Sequence, residues 1–114
     1  MSRAYPMIPL LLALAACGAA PSSTDGSALY ASQGCTLCHG SDGAGTVFGP
    51  TLLGKKGFWT REKLVEYLKN PVAYGEKDKR LSDQARRFTL PMQRFDKLKP
   101  EELTALADHI LSMP

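Results

Sequence analysis

The pentapeptide Cys35-Thr36-Leu37-Cys38-His39 constrains this chain more than any other feature of its 114 residues. It places two thiols three positions apart and an imidazole directly after the second thiol, so all three groups lie within two turns of backbone. One further cysteine, Cys17, precedes this segment, and the other histidine, His109, lies near the C-terminus. Any proposed fold therefore has to bring the two thiols and the imidazole of the pentapeptide to one chemical centre.

The C-x-x-C-H spacing predicts covalent attachment of one c-type haem. The thiols of Cys35 and Cys38 can each add to a vinyl group of one porphyrin edge, and the imidazole of His39 can then ligate the iron. A zinc site completed by His109 is one alternative, although the adjacent Cys38 and His39 would meet a tetrahedral metal with difficulty. A thioredoxin-like redox dithiol normally lies in a βαβ pattern, and no strand pattern surrounds this motif. A structural disulfide is a further alternative, but it would leave His39 without a role.

Residues 1–16 are predicted to be a lipoprotein signal peptide. Their single charge, Arg3, precedes an apolar run from Met7 to Ala16. Ten helical residues span about 15 Å, half of the bilayer's hydrocarbon thickness, so the run is typical of an export signal and not of a membrane span. The sequence Leu14-Ala15-Ala16-Cys17 resembles the lipobox of bacterial lipoproteins, which implies lipidation of Cys17 on the periplasmic side of a bacterial membrane. An ordinary secreted protein with an incidental cysteine is the alternative.

The rest of the chain is expected to form one tethered domain. Residues 17–26 are small and polar with glycine and proline, which predicts a flexible tether. Residues 27–114 have the length of a single domain. A hydrophobic content of 44% and a net charge of +3 argue against disorder.

Hydrophobic spacing predicts an all-α domain of three to four helices wrapped around the haem, because no segment alternates with period two. In chain order we expect a short helix within residues 26–33, a glycine-rich loop over 40–57, a helix from Thr60 to Asn70-Pro71 and a helix of about three turns from Pro100. Ser23, Thr24 and Asp25 are candidate caps of the first helix. For residues 75–88 the sequence allows one turn capped by Ser82 or a mobile loop.

From Gly26 to Leu111 the chain resembles class I cytochromes c. The resemblance is carried by the haem motif, the Phe48–Leu52 loop, the segment from Trp59 to Pro71, Tyr74, and Pro91–Leu98 followed by Glu101-Glu102-Leu103. It implies that His39 and Met92 are the axial iron ligands and that the Pro50 carbonyl accepts a hydrogen bond from His39. It also places Trp59 near a haem propionate and Tyr67 near the methionine side.

Met113 and His109 are the competing candidates for the second ligand. Met113 stands next to the chain end, where order is poorer, whereas Met92 follows Pro91 in a loop just before the last helix. The sequence therefore favours Met92. His109 occupies the last helix where the family usually has an aromatic residue, and we interpret it as a packing or surface substitution.

These features predict a one-electron carrier and not an enzyme, since two protein ligands leave no iron position for a small-molecule substrate. A subunit of a larger oxidase or dehydrogenase, a gas sensor with a labile methionine, and a lipid-anchored interaction protein without haem are the alternatives. Residues 77–99 contain eight basic and three acidic side chains, a local charge of +5, which predicts a redox partner with an acidic docking face. The overall excess of positive charge is too small to indicate nucleic acid.

Overall fold

The computed structural model describes residues 24–114, which form six α-helices and one 3₁₀ turn. These are α1 (Gly26–Ser32), α2 (Cys35–His39), a 3₁₀ turn (Lys55–Gly57), α3 (Arg61–Lys69), α4 (Pro71–Glu76), α5 (Lys79–Ala85) and α6 (Pro100–Ser112). In this range the only β-type pairing is an isolated bridge between Thr46 and Gly49. The predicted all-α class is confirmed, with more and shorter helices than expected.

The N-terminal predictions lie outside this range. The signal peptide at 1–16, the lipidated Cys17 and most of the tether at 17–26 precede the first described residue. Among the described helices, none combines the length and the apolar character that a membrane crossing requires.

Helix α1 packs against α6, and both helices begin as the sequence predicts. The side chain of Asp25, one of three candidate caps, accepts hydrogen bonds from the amides of the first turn of α1. Gly26 then meets α6 so closely that a Cβ at this position would lie 2.1 Å from the carbonyl oxygen of Ala105. The His109 ring packs against Tyr30 in a tilted arrangement, with ring centroids 5.4 Å apart and 58° between the ring planes. His109 is therefore a packing residue of this helix pair.

Helix α3 is confirmed, but the helix that follows it was not predicted. Thr60 caps α3 through the amide of Lys63, and α3 ends before Asn70 as predicted. Pro71 then occupies the first turn of α4, and the side chain of Asn70 caps this second helix by accepting from the amide of Ala73. A proline that ends one helix also suits the first turn of another, because that position has no intrahelical partner for an N–H group.

Neither expectation for residues 75–88 is correct. The segment contains the end of α4 and all of α5, a helix of seven residues. The cap of α5 is Asp78, whose carboxylate accepts from the amide of Leu81, and the hydroxyl of Ser82 donates to the Asp78 carbonyl inside the helix. Leu81 is buried, so burial of one apolar side chain holds α5 on the domain.

The core lies between α1, α3 and α6. Leu68 of α3 and Leu106 of α6 are fully buried, and the amide of Phe95 donates to the Leu68 carbonyl at 2.9 Å. Arg61 and Asp108 form a two-point ion pair that joins the start of α3 to α6. These contacts hold α3 and α6 together as one wall of a cavity. The glycine-rich loop and α5 form other parts of the cavity wall.

Candidate cofactor site

The pentapeptide forms α2, which turns its reactive groups into the interior. Cys35 and His39 each have about 6% of their surface exposed, and Cys38 is half-buried. Burial raises the pKa of the Cys35 thiol to about 11, so this sulfur is neutral at physiological pH. The hydroxyl of Tyr30 donates to the Gly40 carbonyl at 2.6 Å, which ties α1 to the residue that follows the motif.

The imidazole of His39 is held in one tautomer. Its Nδ1 lies 2.7 Å from the carbonyl oxygen of Pro50. Because a carbonyl only accepts, Nδ1 carries the proton and the lone pair is on Nε2. Burial lowers the pKa of His39, and the cation of Lys55 acts in the same direction while the bond to Pro50 opposes them. The ring is therefore neutral near pH 7, which is the form that binds a metal.

The loop that carries Pro50 lies directly on α2. Gly49 approaches Cys38 so closely that a Cβ would lie 2.9 Å from the Cys38 carbonyl oxygen. The hydroxyl of Thr46 donates to the same carbonyl at 2.7 Å, and the amide of Gly45 donates to the His39 carbonyl at 2.8 Å. Three contacts thus fix the distance between the Pro50 carbonyl and the ring that it orients.

All seven predicted cofactor-binding residues line one cavity or its continuation towards α6. The part next to the motif has a volume of about 350 Å³, within the range of small-molecule and cofactor sites. Both parts share an inner lining of Cys35, His39, Pro50, Tyr67, Leu81, Gln84 and Met92. Cys38 lines the part next to the motif, and Trp59 lines the part towards α6.

The structure brings Met92 to this cavity and places both rival ligands elsewhere. Met92 lines the cavity together with His39. Met113 is buried with its sulfur beside Gly43 and does not line the cavity, and the His109 ring packs against Tyr30. Within residues 24–114, no group of three or more histidine, cysteine or acidic side chains could hold a metal ion, so the zinc alternative has no support in this part of the chain.

An aromatic cluster lies beside the part of the cavity that Cys38 does not line. Trp59, Tyr67 and Tyr74 pack with ring centroids 5.1 to 5.7 Å apart. The guanidinium of Arg80 lies 5.8 Å from the Trp59 ring, and Lys55 lines the same part of the cavity. Burial, assisted by Arg80, lowers the pKa of Lys55.

Four further residues line the site although the sequence did not predict them there: Lys55, Arg80, Leu81 and Gln84. Arg80 was one of eight cations in a basic stretch, and the segment around it was expected to be a turn or a mobile loop. The spacing of Leu81, Gln84 and Ala85 is helical and would have indicated one face of a helix. Lys55, in contrast, carries no signal that separates it from the exposed Lys56 beside it.

A family model described as cytochrome c matches residues 23–114, which is most of the chain. The chain belongs to the cytochrome c family. Membership implies a covalently attached haem c and haem-based electron transfer, and the two cysteines that attachment requires are present as Cys35 and Cys38. Cytochromes c are typically electron carriers and not enzymes. No curated protein and no solved structure matches the chain.

The geometry of this cytochrome c domain fits the cofactor. Both cysteines and the free Nε2 of His39 adjoin one cavity, whose walls include the apolar side chains of Leu64, Leu68, Leu81, Phe95 and Ile110. Lys55 and Arg80 add positive charge at one end, which suits a largely apolar group that bears carboxylates. In the described residues every buried side-chain nitrogen and oxygen already has a hydrogen-bond partner.

Proposed function

We propose that this protein is a lipid-tethered one-electron carrier whose haem is bound by Cys35, Cys38, His39 and Met92. The observation that carries the proposal is the convergence of both cysteines, the oriented imidazole and Met92 on a single cavity. Cys35 and Cys38 hold the haem through thioether bonds, and His39 and Met92 ligate its iron. When bound, the haem iron supplies the one-electron chemistry.

The protein residues set the conditions under which that electron moves. The Pro50 carbonyl fixes the His39 ring and increases the basicity of Nε2. The Met92 thioether favours the reduced iron and raises the reduction potential. The apolar walls formed by α3, α5 and α6 exclude water and lower the local dielectric, which also tunes the potential.

Lys55 and Arg80 are proposed to face the haem carboxylates. They lie beside Trp59 in the part of the cavity that Cys38 does not line. A cation in a partly buried place favours a nearby counter-charge, and burial together with the cation of Arg80 lowers the pKa of Lys55. A bound carboxylate would supply the missing charge.

The proposed partner is a redox protein with an acidic docking face. Three exposed apolar side chains, Leu37, Phe48 and Leu90, surround the cavity mouth and provide a dry contact surface. Arg86 and Arg87 follow directly after the cavity-lining residue Ala85, which places positive charge beside that mouth. Complementary charge would guide the encounter, and the apolar side chains would hold the short-lived complex.

The proposed location is the periplasmic side of a bacterial membrane, with the thiol of Cys17 lipidated. The support for this comes from the sequence of the first 17 residues alone. The tether over 17–26 would hold the haem domain within about 30 Å of the lipid surface even when fully extended. Membrane-bound partners would then meet the domain at a raised effective concentration.

The ligand assignment is tested by replacing Met92 with Ala in protein exported together with the haem-attachment machinery. The wild type should show a reversible one-electron titration and, when oxidised, the far-red band of methionine ligation. Met92→Ala should keep its covalent haem, lose that band and bind carbon monoxide when reduced, because the sixth position is open.

Met113→Ala is the matched control, since it removes a methionine that packs outside the cavity. This variant should lose stability and keep the far-red band. If Met113→Ala loses the band and Met92→Ala retains it, the assignment is wrong. A wild-type chain that carries no haem after export would overturn the proposed function as a whole.

A further inference from the structure

The side chain of Gln93, the residue after Met92, bridges two distant parts of the cavity wall. Its Nε2 donates to the backbone carbonyl of Gln33 at 2.9 Å, across sixty positions of the sequence. Gln33 is the C-terminal cap of α1 and lies two residues before Cys35. The bond therefore joins the loop of the proposed second ligand to the start of the haem motif.

Few other polar contacts hold this loop. Residues 91–95 have no regular secondary structure. In the described part of the chain, the next hydrogen bond that ties the loop to a remote residue is the one from the Phe95 amide to the Leu68 carbonyl. Arg94 pairs with its near neighbour Asp96 and so gives no anchor outside the loop. The Gln93 bond is thus the tie nearest to Met92.

We propose that Gln93 is a positioning residue for the methionine ligand: its amide fixes the span between the Met92 loop and α2 and so keeps the thioether on the iron. This inference rests on the proposed function, because it requires Met92 to be a ligand. A thioether is a weak neutral ligand with no charge to hold it near the metal. Restraint of its loop then contributes directly to the fraction of molecules in which it is bound.

The test compares Gln93→Ala and Gln93→Glu with Gln33→Ala in the holoprotein. Both Gln93 variants lose the donor, and the ionised Glu keeps the size of the side chain. Gln33→Ala keeps the acceptor, because that acceptor is a backbone carbonyl. Loss of one hydrogen bond should change the equilibrium between bound and dissociated Met92 by roughly two- to tenfold, given the usual net strength of such a bond. Carbon monoxide should therefore bind the reduced Gln93 variants about two- to tenfold faster, and their far-red band should disappear at a lower temperature than in the wild type.

Gln33→Ala should match the wild type in both measurements. A structural role alone would change the unfolding temperature without changing carbon monoxide binding at 25 °C. Wild-type binding rates in both Gln93 variants would overturn the inference, as would equal acceleration by Gln33→Ala. Met92→Ala distinguishes a failure of the ligand assignment from a failure of the role proposed for Gln93. If it keeps the far-red band, the ligand assignment fails, and if it loses the band while the Gln93 variants behave as wild type, only the role of Gln93 fails.

Discussion

At the scale of single residues, one backbone carbonyl determines the chemistry of the site. The Pro50 oxygen fixes the proton of His39 on Nδ1 and leaves Nε2 for the metal. The loop contacts that hold Pro50 are made by Gly49 and Thr46 on the Cys38 carbonyl. Under the proposed function, haem attachment at Cys38 and iron ligation by His39 would be coupled, because the loop that orients the imidazole is held on the backbone carbonyl of Cys38.

Replacing Lys55 with Gln should lower the reduction potential of the holoprotein. A cation beside the haem disfavours the more positive oxidised iron, so removing it stabilises the oxidised state. The shift should be on the order of tens of millivolts in a partly buried place, where about 59 mV corresponds to a tenfold change for one electron. A redox titration at neutral pH measures it.

Lys56→Gln is the matched control for this measurement. It makes the same charge change one residue further on, at an exposed side chain that does not line the cavity. Solvent and salt screen this charge, so the shift should be several-fold smaller. Equal shifts in the two variants would contradict the placement of Lys55 beside the haem.

At the scale of secondary-structure elements, the crossing of α1 and α6 holds the two ends of the described domain together. Gly26→Ala should destabilise the folded state by about 1 to 3 kcal/mol, because the added methyl group would meet the Ala105 carbonyl and force the helices apart. Denaturant unfolding of the holoprotein, followed by circular dichroism, measures the change.

Gly57→Ala controls for the general effect of replacing glycine. A Cβ at Gly57 meets no atom within 4 Å, and Gly57 is not among the described glycines with positive φ. Its stability should be unchanged or slightly raised, since alanine reduces the entropy of the unfolded chain. Destabilisation of both variants to the same extent would show that the close crossing is not the cause.

The predictability of the helices follows from how much of each one is encoded locally. Helices α3 and α6 have a cap or an N-terminal proline and apolar residues at helical spacing, and both were predicted. Helices α4 and α5 are short and have few buried residues, chiefly Pro71 and Leu81. Helices of this length are stable only when packed against a tertiary partner, so the helical spacing of Leu81, Gln84 and Ala85 is a local signal that does not by itself establish α5.

At the scale of the whole molecule, the motif predicted the cofactor but not the full wall of its cavity. The positions of Cys35, Cys38 and His39 follow from their spacing in the sequence. Lys55 and Arg80 reach the site from two segments that are separated by α3 and α4, so their proximity is a property of the tertiary fold. Charge is also unevenly distributed along the chain, since eight of the fourteen Lys and Arg residues follow α4 and residues 24–54 contain only Asp25 and Asp42 as charged side chains.

Replacing Cys17 with Ser should release the domain from the membrane without changing its haem spectrum. Lipidation requires the thiol, and the multiple acyl chains of a bacterial lipoprotein are needed for durable anchoring. Membrane fractionation and mass spectrometry of the N-terminus measure the effect. A wild-type chain without a lipid on Cys17, or a Cys17→Ser variant that stays fully membrane-bound after processing, would contradict the proposed tether.

Reversing Arg86 and Arg87 to Glu should slow electron transfer to the physiological partner at low salt and flatten its dependence on ionic strength. In the sequence both residues stand between Ala85 and Phe88, which line the cavity. Charges beside the cavity mouth steer an acidic partner through electric fields, and salt screens these fields over about 8 to 10 Å.

Lys63→Glu with Lys69→Glu is the matched control, because it makes the same charge change on α3, at exposed residues that do not line the cavity. Each pair includes one side chain that already forms an ion pair within a few residues, Arg86 with Asp83 and Lys69 with Glu66. The α3 pair should therefore have much the smaller effect, and equal slowing by both pairs would show that net charge, and not the basic residues beside the cavity, governs the encounter.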